Sequence, residues 1–289
     1  MNIVEFDQDA LRAGNTFKVN DTKYGSGQVA IIGGSRLFHG APILSLKCAS
    51  RLTGMTFFSS FEQDREVAEK LKANLSSFVW VDRDDVDSYV EKSDAVLIGP
   101  GLMRSHTKEN NFVCDAEGDR TRTITLGLFK KFPNKRWIVD GGSLQVVSPD
   151  EMPKGAAITP NEKEFEMLFG EKQEKELENR AVQLKKITEK FGLTVLTKGE
   201  VNMVVGEGDA FVIRGGNEGL VKGGVGDVIA GTAIGLAAKN DLSWSLSAAS
   251  YLVKKAAERL AAKAGFMFNA DDLADEVPLV WGELVGFGG

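Results

Sequence analysis

Gly215-Gly216-Asn217-Glu218-Gly219-Leu220-Val221-Lys222-Gly223-Gly224-Val225-Gly226-Asp227 runs directly into an apolar segment of helical spacing. Six glycines between Gly215 and Gly226 let successive backbone N–H groups turn toward one anion. The positive end of a following helix strengthens that attraction. A Walker A loop is not the explanation, because no Gly-Lys-Ser/Thr follows at the needed spacing. Asp227 falls at the helix start. An acid there is commonly only a cap, yet the glycine density argues against a purely structural turn. Beside an anion site, such a carboxylate can take the proton of an attacking hydroxyl in phosphoryl transfer.

Upstream of this segment lie three short β runs, Thr194 to Thr197, Asn202 to Val205 and Phe211 to Arg214. Lys198-Gly199-Glu200 and Gly206-Glu207-Gly208-Asp209 separate them, which predicts an antiparallel meander at a sheet edge. Downstream, Asp227 to Ala238 and Leu242 to Ala264 read as two long helices. Towards the N-terminus the pattern alternates. Val29 to Ile32, Met55 to Ser60, Phe78 to Val81, Ala95 to Ile98, Trp137 to Val139 and Ala156 to Ile158 read as strands. Ala41 to Leu52, with Pro42 in its first turn, and Asp64 to Asn74 read as helices. Strands alternating with helices predict an α/β fold, a mostly parallel sheet covered on both faces. Several strands close on Gly, Pro, Asp or Asn clusters, so the turns suited to ligands line one edge. No repeat or linker interrupts residues 1–289, which predicts one domain; residues 104 to 123 read as a polar surface insertion.

Composition limits the function classes. The chain has 289 residues, 43% hydrophobic and 26% charged, as expected of a soluble globular protein with its own core. A net charge of −6, with Lys and Arg dispersed, gives no basic footprint for nucleic acid. Cys48, in an apolar helical run, and Cys114, in the polar insertion, form neither a metal motif nor a disulfide framework. Met1 to Ala10 contains Glu5, Asp7 and Asp9 and no apolar core, so it does not read as a signal peptide. No apolar run approaches the roughly 20 residues of a membrane span. The expectation is a cytoplasmic protein that uses neither membrane nor nucleic acid; a homo-oligomer stays open.

Other turns are weaker singly. Thr159-Pro160-Asn161-Glu162-Lys163-Glu164 opens a helix, and its simplest reading is a cap, Asn161 with Glu164 three residues on. Next to a phosphate site the same two residues are oxygen donors one turn apart, suited to Mg²⁺. Lys198-Gly199-Glu200 is by default a solvated hairpin, and Gly33-Gly34-Ser35 and Gly99-Pro100-Gly101 are ordinary strand-to-helix turns. His39 and His106 are too few to make a metal cluster. His39 lies beside Gly40-Ala41-Pro42, where contact with a substrate is possible.

Taken in order, these turns resemble those of the ADP/ATP-dependent NAD(P)H-hydrate dehydratases, a branch of the ribokinase-like superfamily. The resemblance runs from about residue 24 to 280, through Tyr24-Gly25, Ile31 to Ser35, Gly40-Ala41-Pro42, Leu52-Thr53-Gly54 and Gly99 to Leu102. It continues through Val139 to Gly142, Thr159 to Asn161, Lys198 to Glu200, and Asn217 to Gly231. It implies an enzyme that phosphorylates the ring hydroxyl of the S epimer of NADH or NADPH hydrate with ATP or ADP, then expels phosphate. By motif, Asp227 would be the base on that hydroxyl, and the backbone of Gly223, Gly224, Val225 and Gly226 would hold the transferred phosphoryl. Lys198, Gly199, Glu200, Val201 and Asn202 would border the nucleotide. Ala41, Gly101, Met103 and Asn161, with Asp227, would line the hydrate pocket, and Glu164 would organise Mg²⁺.

Three positions depart from the family pattern. Met103 replaces the last Gly of Gly-Pro-Gly-Leu-Gly, Asp140-Gly141-Gly142 replaces Asp-Ala-Asp, and Val225 stands where a smaller or polar residue is usual. The epimerase domain of some relatives is not seen, so an epimerase would be a separate functional partner. A vitamin-precursor kinase of the same superfamily and a non-catalytic nucleotide-binding descendant are the competing readings.

Overall fold

The computed structural model describes residues 1–15, 22–60, 65–104 and 116–286. Asp64, His106 and Cys114 lie outside them, as does residues 105–115 of the expected insertion. The strands are β1 (Ile3–Glu5), β2 (Gln28–Gly33), β3 (Met55–Ser60), β4 (Val79–Trp80), β5 (Ala95–Ile98), β6 (Arg136–Val139) and β7 (Ala157–Ile158), then β8 (Thr194–Thr197), β9 (Asn202–Val205) and β10 (Ala210–Ile213). The helices are α1 (Gln8–Gly14), α2 (Gly40–Ala49), α3 (Arg65–Asn74), α4 (Val86–Lys92), α5 (Ala116–Lys131) and α6 (Gly141–Leu144). They continue with α7 (Glu162–Phe169), α8 (Leu177–Phe191), α9 (Val225–Ala237), α10 (Leu242–Ala264) and α11 (Ala270–Val285).

All ten strands join one sheet in the order β1-β10-β9-β8-β7-β6-β5-β2-β3-β4. Only the β8–β9 and β9–β10 pairs are antiparallel. The central strands are apolar without interruption because both faces are covered. Period-two alternation then divides their side chains. Val29, Ile31, Leu97 and Ile138 join a core with α2, α9, α10 and α11. Ala30, Ile32, Val96, Ile98 and Val139 join a second core with Phe165 of α7 and Leu184 of α8.

Three expectations change. The meander is not at the edge, because β1 pairs in parallel with β10, Ile3 opposite Ala210, and forms the edge itself. Phe6, 1% exposed, anchors that addition by packing edge-on against Phe211, Trp244 and Tyr251. Residues 116–123 are not an insertion but the start of α5, where buried Thr121 donates to the Met103 carbonyl at 2.6 Å. The helix expected to begin at Asp227 begins two residues earlier, at Val225. Helices α1 and α11 are additions to the elements expected from the sequence, although α11 buries Ala270, Leu273, Ala274, Val277, Val280 and Trp281 at helical spacing. Among the described residues no helix is long and apolar enough to cross a membrane.

Helix α9 sets the position of the glycine turn ahead of it. Its buried residues run unbroken from Val228 to Ala237, so it is a core helix packed on every side. Such packing against α2 requires small residues. A Cβ on Gly231 would lie 2.3 Å from Ser45 Cα and 2.4 Å from its carbonyl oxygen. Ser45 Oγ in turn donates to the Asp227 carbonyl at 2.9 Å, which ties α2 to the first turn of α9.

Helix propensity favours Ala over Gly by up to about 1 kcal/mol. At Gly127 of α5, exposed with open space around it, replacement by Ala is therefore expected to stabilise. At Gly231 the same change meets backbone and is expected to destabilise by about 1–3 kcal/mol. Urea midpoints of the two variants check this pair; a stabilising Gly231→Ala would show that the two helices do not pack as described.

Candidate active site

The turns predicted to face ligand lie together at the carboxyl ends of the parallel strands. Those after β2 and β5 interlock through backbone: Gly34 N donates to the Pro100 carbonyl at 2.8 Å. The β5 and β6 turns touch as closely. A Cβ on Gly142 would stand 2.3 Å from the Leu102 carbonyl oxygen, so no larger residue fits this backbone. Met103 is 5% exposed and fastened to α5 through its carbonyl. Ala41, in the first turn of α2, and Gly101 are both partly accessible beside these turns.

Gly224 is the N-cap of α9, with φ of +90°, and no side chain caps this helix start. An α-helix begins with amides that have no partner inside the helix. Those of the first turn of α9 are thus offered to whatever enters, with the positive end of a 13-residue helix behind them. Gly223 is exposed and Val225 buried, so the latter contributes its backbone alone. A Cβ on Gly226 would come within 3.2 Å of Lys198 Nζ, which puts the ammonium under the same turn.

Lys198 directly follows β8 and links three carboxylates. Its Nζ lies 3.5 Å from Oδ1 of buried Asp140, which also accepts from Thr159 Oγ1 at 2.6 Å. Burial disfavours the lysine charge, but Asp140, Glu164 and Asp227 outweigh it and hold the pKa above the usual lysine value. Asp227 shows the opposite balance. Burial, reinforced by the negative charge of Asp140, pushes its carboxyl up to about 7 despite Lys198. Glu164 is also raised, by burial first, with Lys198 opposing.

Asn161 and Glu164 form the capping box expected of them. Asn161 Oδ1 accepts from Lys163 N and Glu164 N, each at 3.0 Å, and Glu164 Oε2 accepts from Asn161 N at 2.9 Å. Glu164 Oε1 accepts from Gln145 Nε2 at 3.0 Å. Asn161 itself is exposed. Among the described residues, no three His, Cys, Asp or Glu side chains converge as a metal cage. That donor set does not suit a resident ion. It does suit Mg²⁺ arriving with a polyphosphate, an ion that keeps most of its waters and needs one or two carboxylates.

In the turn 198–202, Gly199 and Glu200 are exposed and Val201 half-buried. Asn202 is buried, accepting from Gly199 N at 2.9 Å and donating to Ser250 Oγ, so its side chain shapes the turn. His39 sits at the N-cap of α2 without making a side-chain cap. Asp140 was visible as the end of a strand but was not picked out as a site residue. Its signal was the same one that marked Asn161, an acid or amide closing a parallel strand.

The raised Asp227 carboxyl has a consequence for stability. The folded protein keeps its proton up to about pH 7, whereas an ordinary Asp releases it near 3.8. Between those values the folded state binds more protons, so the group costs stability as pH rises, fully above about 7. Asp227→Asn is therefore expected to melt higher than wild type at about pH 8, the gap closing toward about pH 4. Thermal melts across that range decide it; an equal or lower Tm at alkaline pH would contradict the assignment.

Comparison with known proteins agrees with this geometry. A solved ribokinase-like superfamily protein from Enterococcus faecalis superposes with a TM-score of 0.81 at 23% identity, covering 98% of this chain and 96% of that one. The ADP/ATP-dependent NAD(P)H-hydrate dehydratase of Bacillus subtilis, co-crystallised with ATP/Mg²⁺, superposes at 0.78 with 22% identity, covering 98% and 99%. These establish the ribokinase-like fold. The ADP-dependent (S)-NAD(P)H-hydrate dehydratase of Cenarchaeum symbiosum is 26% identical over 277 residues, 94% of this chain and 95% of the relative. The profile of one family, described as NAD(P)H-hydrate dehydratase, matches residues 29–279, and the chain belongs to that family.

Proposed function

We propose that the protein converts the S epimer of NADH or NADPH hydrate back to NADH or NADPH, using ATP or ADP. The observation that carries this reading is Asp227: a carboxylate titrating near 7, in the first turn of a helix whose amides are uncapped, within the field of Lys198. Family membership supplies the substrate class.

Asp227 takes the proton of the ring hydroxyl as its oxygen attacks the terminal phosphorus of the nucleotide. A base near neutral pKa suits that transfer, because it is free to accept at pH 7 yet basic enough to matter. The amides of Gly224, Val225 and Gly226 receive the phosphoryl oxygens, and Lys198 offsets their charge. ADP or AMP departs. The ring nitrogen lone pair then expels phosphate by breaking the carbon–oxygen bond, and a proton lost from the adjacent carbon restores the ring double bond. Phosphorylation makes this possible by turning hydroxide, a poor leaving group, into phosphate.

The turn 198–202 borders the nucleotide, and Ala41, Gly101, Met103 and Asn161 border the hydrate. Mg²⁺ bound to the nucleotide would be held through its waters by Glu164, and it would neutralise charge on the transferring group. Because water adds to the ring without a template, both epimers arise, and a separate epimerase is the expected functional partner. The cytoplasm, where the reduced cofactors work, is the expected setting.

NADH hydrate incubated with the protein, Mg²⁺ and ATP or ADP is expected to regain the near-ultraviolet absorbance of NADH. Absence of recovery with both nucleotides would rule the reading out, and a stable phosphorylated product without recovery would identify a kinase. Asp227→Asn is expected to slow the reaction about 10²–10⁴-fold.

Glu164→Gln keeps the capping box but removes a charge. The Mg²⁺ concentration giving half-maximal rate is expected to rise severalfold. An unchanged Mg²⁺ dependence would leave Glu164 as a cap only.

A further inference from the structure

One buried cation lies outside the group around Asp227. Lys254, in the middle of α10, is 3% exposed. Its ammonium donates to the Glu200 carbonyl at 2.7 Å and to the Gly215 carbonyl at 2.9 Å. The acceptors belong to two separate segments, the turn after β8 and the loop after β10. Its stem lies against the second of them, since a Cβ on Gly216 would be 3.2 Å from Lys254 Cγ.

The neighbours of Lys254 on the same face of α10 hold the same two segments. Ser250, one turn before, receives the Asn202 side chain, whose oxygen accepts from Gly199 N. Glu258, one turn after, accepts from Gly216 N at 2.9 Å. The Ala257 carbonyl accepts from Asn217 Nδ2 at 2.8 Å, and Asn217 Oδ1 accepts from Gly219 N at 3.0 Å. Residues 250, 254, 257 and 258 fall at helical spacing, so one stripe fastens the turn 198–202 and the loop 215–219 together.

A charge in such a place is costly. Burial lowers the Lys254 pKa, with Glu258 and Glu200 opposing, and its direct partners are carbonyls rather than a carboxylate. An apolar side chain of similar length would fill the space without that cost, but it could not join two carbonyls. The ammonium, with three donors and no acceptor, can.

We propose that Lys254 is a positioning residue of the nucleotide site, fixing the turn 198–202 against the loop that leads into the phosphoryl-binding turn 223–226. It touches neither substrate. This rests on the reading that those two turns bind ATP or ADP, and its effect falls on the nucleotide alone. A free protein that lacked this link would have to order both segments when the nucleotide arrives, and affinity would drop accordingly.

The test is Lys254→Met, with Lys254→Arg as the conservative variant, studied by calorimetric titration with ATP and with ADP and by steady-state kinetics. In Lys254→Met the KM and Kd for nucleotide are expected to rise about 10- to 100-fold, with kcat at saturating nucleotide and the KM for the hydrate little changed. Lys254→Arg is expected to recover part of the loss. If wild type binds ATP or ADP and Lys254→Met binds it equally well, the proposal is overturned while the dehydratase reading stands. Equal losses for both substrates would also overturn it. Wild type that binds neither nucleotide overturns the dehydratase reading and this proposal with it. If Lys254→Met does not fold, amide exchange on wild type decides. The amides of Gly199, Gly216 and Gly219 are expected to be protected before nucleotide is added; protection that appears only with nucleotide would refute a preformed link.

Discussion

A helix buried on every side still begins with amides that need partners, and this constraint shapes the active-site end of the molecule. In α9 the N-cap is Gly224, which has no side chain to supply them, and the Asp227 carboxylate reaches only its own amide. The helix cannot shift to hide them, because Gly231 brings it against the backbone of α2 and Ser45 holds the Asp227 carbonyl. The left-handed turn at Gly224 brings the chain in at this angle. What remains is a rigid, positively polarised opening at the carboxyl edge of the sheet. An anion entering there would give those amides their partners.

Charge around that opening is arranged by the ends of four strands. Asp140 directly follows β6, β7 leads into Glu164, Lys198 directly follows β8, and β10 leads by the glycine loop to Asp227. One ammonium serves three carboxylates, so they cannot all ionise without cost. The imbalance raises both Asp227 and Glu164, each by burial first and by the charge of Asp140 as well. The basicity of Asp227 is therefore a property of the whole sheet edge rather than of the glycine loop. A polyphosphate bringing Mg²⁺ would supply the positive charge this edge lacks.

The sheet was readable because its physics is local. Short β-branched runs closed by turn residues located β2, β5, β6 and β8, and the glycine loop with its helix located Asp227. The edge strand β1 was not readable: three exposed residues become a strand only through pairing with β10, a partner two hundred residues away. The start of α5 was hidden by its polarity, since only Gly118, Thr121, Thr125, Leu128 and Phe129 of it are buried. In the site, each turn was visible but not its neighbours. Asp140 draws its meaning from Lys198, 58 residues away. Lys254 reads in sequence as half of an unremarkable Lys-Lys pair, because its two partners are backbone carbonyls and carry no sequence signal. Gly142 stands against the Leu102 carbonyl, a close approach that carries no local sequence signal.

Fold, family and site thus meet at one carboxylate, whose ionisation the structure places near neutral pH and whose proposed task requires it to be ionised. The pH dependence of kcat/KM for hydrate turnover, measured at nucleotide concentrations well below saturation, tests that directly. The rate is predicted to fall about tenfold per unit on the acid side of about pH 7, as the free enzyme's Asp227 takes up its proton. A profile flat from about pH 5 to 8 would mean that Asp227 is either not the base or not raised by its neighbours, contradicting the account.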